Sequence, residues 1–219
     1  MEKKRNQIAP TLFFEEHLWK KGYKYVLGID EAGRGAWAGC VSVGAVMFIQ
    51  NDGSVKDKLY GVRDSKQLTS TERFYWVKII KEQAFKWAVG WSDEKEIDTY
   101  GINAAVQLAS IRALSRLNCI PQFLLIDYFR LPFLKIPQLS VIRGDSKSLT
   151  IASASILAKT WRDEYMNQLA KNYPYYGFDR HKGYGTKEHR AALLSHGVSN
   201  IHRKSYSPLR LLLDNPEKE

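Results

Sequence analysis

In GIDEAGRG, residues 28–35, an apolar strand ends in two adjacent carboxylates, Asp30 and Glu31, followed by Gly33-Arg34-Gly35. Upstream, residues 24–30 read as a strand. Downstream, Gly39 closes the glycine-rich connection and residues 40–49 (CVSVGAVMFI) read as a second strand. Residues 85–91 (FKWAVGW) alternate as a third, so the first half of the chain predicts an antiparallel meander. A helix is expected between the last two strands, over 69–82, where Thr69 or Ser70 can cap and Glu72 stands where a capping box needs an acid. A short helix over 11–21 opens the fold.

The pattern then changes. Ile97, Ile102, Val106, Ala109, Ile111 and Leu114 recur at helical spacing within 96–117, and residues 122–127 (QFLLID) form a continuous apolar run that ends in an acid, as a buried strand does. Residues 139–143 predict another short strand, Ser146 to about Ala170 a long helix, and 186–195 a further one. No repeat, low-complexity block or linker interrupts the chain. The expectation is an α/β fold in one compact unit: residues 1–170 as a main part and 171–219 as a basic, helical C-terminal part.

The 219 residues include 33 Lys and Arg against 23 Asp and Glu, a net charge of +10, which favours a polyanionic partner. Cys40 and Cys119 lie far apart without metal-ligand spacing and read as free thiols of a reducing compartment. No apolar run has the length of a membrane span and no signal-peptide pattern opens the chain, so the expected location is the cytoplasm.

Carboxylates at the ends of buried strands are costly unless paired or bound to a cation. Asp30, Glu31 and Asp127 occupy such ends, and Asp145 follows Gly144 just before a helix. Together they predict carboxylates converging at one sheet edge around a hard cation, Mg²⁺ or Mn²⁺. Singly, Asp145 also suits a helix N-cap. Asp163 is a rival fourth acid, but in one helix it would stand about 27 Å beyond Asp145, and adjacent Arg162 offers it a structural partner. His181, His189 and His202, with no cysteine beside them, read as hydrogen-bonded structural groups.

These stretches resemble type 2 ribonucleases H. The resemblance rests on GIDEAGRG at 28–35, DSKQL at 64–68, LLIDY at 124–128, GDSKSLTIASASILAKTWRD at 144–163, YPYYGFDRHKGYGTKEH at 173–189 and HRKSY at 202–206, in family order over roughly residues 15–208. It implies a ribonuclease H-like mixed sheet flanked by helices, with a C-terminal helical part. Asp30, Glu31, Asp127 and Asp145 are implied as the catalytic, metal-binding set, with two ions when substrate is bound. The resemblance further implies that Gly33, Arg34 and Gly35 sense the ribose 2′-hydroxyl and that Tyr184 stacks on the next sugar. Lys66, Lys147, Lys182, Arg180 and Arg203 are candidate phosphate contacts.

Two positions depart from the pattern. Ala36-Trp37 replaces Pro and a smaller apolar residue, which predicts a less rigid loop. Tyr128 stands where Gly is common, and its bulk would alter access to the metal site. The implied activity is hydrolysis 5′ of ribonucleotides in RNA/DNA hybrids or embedded in duplex DNA, leaving 3′-hydroxyl and 5′-phosphate ends, by a monomer. No sliding-clamp motif is recognised near the C-terminus. Two other readings stay open: a DNA nuclease or strand-transfer enzyme of the same fold, which would cut all-DNA duplex equally well, and a non-catalytic RNA-binding module, which would bind without turnover.

Overall fold

The computed structural model describes residues 9–50 and 54–214; the basic stretch at 1–5 and the end of the C-terminal tail lie outside them. A short helix α1 (Phe13–Lys20) precedes β1 (Val26–Ala32) and β2 (Val41–Phe48). After α2 (Ser54–Lys58) and a 3₁₀ turn at Ser65–Gln67 come α3 (Ser70–Gln83), β3 (Lys86–Ser92) and α4 (Glu94–Arg116). Next are β4 (Phe123–Asp127), β5 (Gln138–Val141), a 3₁₀ turn at Gly144–Ser146 and α5 (Leu149–Asn172). The C-terminal part holds α6 (Phe178–His181), α7 (Lys187–His196) and α8 (Ser207–Asp214).

The strands make one sheet in the order β3-β2-β1-β4-β5. β1–β2 and β2–β3 are antiparallel, the expected meander, whereas β1–β4 and β4–β5 are parallel. β2 is buried along its whole length because both faces of the sheet are covered. Its odd residues Val41, Val43, Ala45 and Met47 pack with Ala105, Val106, Ala109 and Ala113 of α4. Its even residues Val46 and Phe48 pack with Ala152, Ala154 and Ile156 of α5. Two glycines set how closely α5 approaches: a Cβ on Gly28 would stand 2.4 Å from the Thr150 carbonyl carbon, and one on Gly44 2.1 Å from the Ala154 oxygen.

Thr69 caps α3 in the expected capping box with Glu72. Other expectations need correction. β1 continues past Asp30 through Glu31 and Ala32, because Val43 and Ser42 of β2 are there to pair with them. α4 is broken at Gly101, whose backbone is left-handed in φ (79°). Asp145 is not the N-cap of α5; it sits in the preceding 3₁₀ turn, and the Ser148 side chain caps the helix by accepting from the Ile151 amide.

The C-terminal helices surround a separate apolar cluster of Tyr176, Phe178, Leu193, Ile201 and Leu209, joined by Ala38 and Met166 from the earlier chain. A bridge between Ala38 and His202 ties this part to the glycine-rich loop. Both cysteines are free. No helix among the described residues is long and apolar enough to cross a membrane.

Candidate active site

Side-chain alternation along the parallel strands decides which acids meet. In β1, Val26 joins the α5-side cluster and Leu27 and Ile29 the α4-side one, so Asp30 projects on the α5 side and Glu31 on the other. In β4, Leu125 faces α5, and so does Asp127 two residues on. The turn before α5 brings Asp145 to the same place. Carboxylate oxygens of Asp30, Asp127 and Asp145 lie within 4.8 Å of one another. Glu31 is beside this group but not in it: its carboxylate reaches 4.0 Å from Arg34, and its second oxygen is buried without a hydrogen-bond partner.

The triad is only partly relieved electrostatically. Burial, then the charges of Glu31, Asp127 and Asp145, push the Asp30 carboxyl well above the usual range, although Oδ1 accepts from the Glu31 amide at 2.7 Å. Burial raises Asp127 against a bond at 2.8 Å from the Gly144 amide, and burial with Asp64 and Asp127 raises Asp145. Burial likewise raises Glu31, opposed by Arg34. Lys66 is the cation at hand, with Nζ 3.7 Å from Asp145 on a largely exposed side chain. Its pKa is raised: desolvation is outweighed by Asp64, Asp145, Asp30 and Asp127. Asp64 holds the Lys66 turn by accepting from the Lys66 amide, and a buried Ser155–Ser65 hydroxyl bond of 2.7 Å pins that turn to α5. A hard dication is the species that three clustered oxygen ligands of this kind accommodate.

Next to the acids opens a cavity of about 650 Å³ lined by Asp30, Glu31, Gly33, Arg34, Gly35, Lys66 and Tyr184, among others. Gly33 is left-handed (φ +93°), and Arg162 fills the space its side chain would need; a Cβ on Gly35 would meet nothing within 4 Å. The Arg34 guanidinium bonds the Asn103 side chain, and its carbonyl accepts from Arg203 and Tyr206. Tyr184 is 36% exposed, with Arg162 and Lys159 5.4 and 5.7 Å from its ring centre. Lys147 is exposed, in a groove shared with Asp145 and Lys66.

Several expected roles change. Arg203 cannot reach a phosphate: it is fully buried, donating to the carbonyls of Arg34, Gly39 and Cys40. Arg180 and Lys182 do line the cavity beside the acids, Arg180 paired with Glu188 and Lys182 donating to the Asp179 carbonyl. Asp163 does not pair with Arg162. It binds Arg73 at 2.8 Å and Lys159 at 2.7 Å, while Arg162 donates to the carbonyls of Ala38, Cys40 and Lys182. The loop at Ala36-Trp37 is braced rather than loose, through Trp37 N to Gly183 O and Arg203 N to Trp37 O, both 2.8 Å. Tyr128 has φ +64°, which a glycine would adopt without strain, and its side chain is 75% exposed. Asp64 and Ser155 stand inside the motifs at 64–68 and 144–163 with no role foreseen for them, and Asn103 stands in none of the motifs.

A mixed five-stranded sheet with carboxylates at the ends of its adjacent parallel strands, covered by a long helix, defines the class of ribonuclease H-like nucleases. The ribonuclease H2 of Pyrococcus horikoshii superimposes with a TM-score of 0.74 at 24% identity, over 89% of this chain and 100% of that one. A Bst ribonuclease HIII solved with Mn²⁺ gives 0.65 at 18% identity, over 90% and 71%. The family profile described as Ribonuclease HII matches residues 27–208. A ribonuclease HII of Desulfitobacterium hafniense is 50% identical over 208 residues, covering 95% of this chain and 78% of the relative. The chain belongs to the ribonuclease HII family, and its activity is that of an endoribonuclease.

Proposed function

We propose that Asp30, Asp127 and Asp145, with Glu31 at their side, form the metal-binding catalytic set of an endonuclease that cuts 5′ of ribonucleotides in RNA/DNA hybrids and in duplex DNA. The observation that carries this reading is the meeting of three carboxylates from separate elements within 4.8 Å, with one exposed lysine as their nearest counter-charge. Two Mg²⁺ or Mn²⁺ ions bound there with substrate would supply a more acidic water and neutralise charge at phosphorus; the ribonuclease HIII of the same fold was solved with Mn²⁺.

The rest falls to the chain's own groups. Asp30 and Asp127 hold their carboxylates in place through the amides of Glu31 and Gly144. Gly35 leaves its side of the loop open to a sugar, with Arg34 beside it. Tyr184 offers a ring at the cavity wall for the neighbouring sugar, and Lys66 and Lys147 flank Asp145 where a phosphate would run. The free thiols, Cys40 buried and Cys119 partly so, suit the cytoplasm.

The test compares three duplexes with Mg²⁺ or Mn²⁺: one embedded ribonucleotide, an RNA/DNA hybrid, and all-DNA. Wild type should cut the first two, leaving 3′-hydroxyl ends. Asp127→Asn should abolish cutting while duplex binding persists. Equal cutting of all-DNA duplex would favour the strand-transfer or DNA-nuclease reading instead.

A further inference from the structure

Away from the acids, between α3, β3 and α5, lies a cavity of about 510 Å³ whose wall includes Trp87, Trp91 and Trp161. Trp87 and Trp91 alternate on one face of the edge strand, and Trp161 of α5 stacks on Trp91 at 4.7 Å. Two exposed cations sit over these rings: Lys81 over Trp87 and Arg116 over Trp91, each at 4.2 Å. The Thr160 hydroxyl in this wall is buried and has no hydrogen-bond partner.

We propose that this cavity is a second nucleic-acid subsite, which takes an unpaired strand segment flanking the duplex in the active-site cleft, a base against the exposed Trp87 indole and its phosphates at Lys81 and Arg116. The combination of stacking rings and cations is what sequence-independent binding of single strands requires. The site continues from the cleft along one helix face: Ser70 and Arg73 of α3 line the active-site cavity, and Val77 and Lys81, one and two turns on, line this one. From Arg73 to Lys81 is roughly 12 Å of helix, the span of about three or four nucleotide steps. A chain with net charge +10 attracts such a strand.

A β-strand peptide is a poorer occupant, because two carbonyls of β3 are already taken. Arg116 donates to Val89 O at 2.7 Å and Arg112 to Trp91 O at 2.8 Å, which blocks strand addition. Glu164 also lines the cavity and would repel phosphate, so the backbone of a bound strand would run on the Lys81–Arg116 side.

The inference rests on the proposed function only for the duplex in the cleft, and its test uses binding in EDTA, where no cutting is needed. Labelled duplexes with one embedded ribonucleotide, blunt or carrying a five-nucleotide unpaired tail at either end, are titrated with the full chain. Wild type should bind one tailed duplex about tenfold more tightly than the blunt one, the order that stacking of a base supports. Trp87→Ala and, separately, Lys81→Glu should lose that preference and keep blunt-duplex affinity; both side chains are exposed, so either variant can carry the test if the other misfolds. Equal affinity of wild type for tailed and blunt duplexes, or a preference that survives both substitutions, overturns the proposal. So does a mononucleotide that quenches tryptophan fluorescence in a Trp87-dependent way without any tail preference, which would mark a free-nucleotide site.

Discussion

Gly33 and Arg162 compete for one volume: a Cβ on Gly33 would stand 1.9 Å from Nε of Arg162. Arg162 is fully buried and donates to three backbone carbonyls around the loop, so it cannot swing aside. Gly33 is also left-handed, a conformation that alanine adopts with strain. Gly33→Ala should therefore lower stability by about 2–4 kcal/mol, visible as an earlier urea transition. A variant as stable as wild type would show that the loop and Arg162 are not fitted to each other.

Gly35, two residues on, behaves oppositely. Its Cβ position is empty to 4 Å, facing no protein atom. Gly35→Ala should melt within about 0.5 kcal/mol of wild type yet cut an embedded ribonucleotide at least tenfold more slowly, because the methyl enters the space assigned to the sugar. Unimpaired cutting would remove Gly35 from the substrate site.

The contrast shows what one sequence can disclose. Alternation and apolar runs make β1, β2, β3 and β4 readable, and Thr69 with Glu72 announces the start of α3. The convergence of Asp30, Asp127 and Asp145 is also readable, since each closes or follows an apolar segment. That Glu31 projects to the opposite face is not, because it depends on β1 pairing two residues further than its own apolar pattern suggests. Nor does composition tell which cation goes inside. Arg203 and Lys66 both belong to basic, polar stretches, but only Arg203 meets three carbonyls of a distant loop. Asp163 finds Arg73 across 90 positions of sequence, beyond any local rule.

That difference between cations is measurable. Truncating Arg203 leaves the Gly39 carbonyl without its donor, leaves those of Arg34 and Cys40 with Tyr206 and Arg162 alone, and opens a void in a buried setting, which should cost about 3 kcal/mol or more. Arg203→Lys should recover only part, since one ammonium cannot reproduce the fork. Lys66→Ala should leave stability within about 0.5 kcal/mol and weaken cutting. Urea titrations and cleavage rates separate the two; a marginal effect of Arg203→Ala on unfolding would contradict its buried role.

The acidic triad predicts a reciprocal effect of metal. Without a dication, Asp30 is held among like charges in a buried place, so its ionised form opposes folding. Asp30→Asn should raise the melting temperature in EDTA by several degrees while abolishing cutting. Adding Mn²⁺ should then stabilise wild type but not the variant, because only wild type offers a site that binds the ion when folded. A melting temperature insensitive to Mn²⁺ in wild type would count against a metal centre at these acids.

The histidines beneath Tyr184 predict an acid-sensitive stability. The Ser199 amide donates to His202 Nδ1, so the His202 proton is on Nε2, which donates to His189 Nε2 at 3.1 Å. His189 must then donate from Nδ1 to the Tyr184 carbonyl. His181 accepts from the Gly183 amide at Nδ1 and donates to the Tyr176 carbonyl from Nε2. Each ring is thereby fixed as neutral, and burial lowers His189 and His202 to about 4. The unfolded chain takes up these protons near pH 6.5, so their contribution to stability is complete above that value and is lost as pH falls towards 4. Between pH 7 and pH 5 the loss should be roughly 2 kcal/mol for each of the two. The raised carboxyls of Asp30 and Glu31 act with the opposite sign, so the comparison must be internal: His202→Asn should be less stable at pH 7 but lose less on acidification. If wild type and His202→Asn fall in parallel between pH 7 and pH 5, the relay from Ser199 to Tyr184 is not what holds these rings neutral.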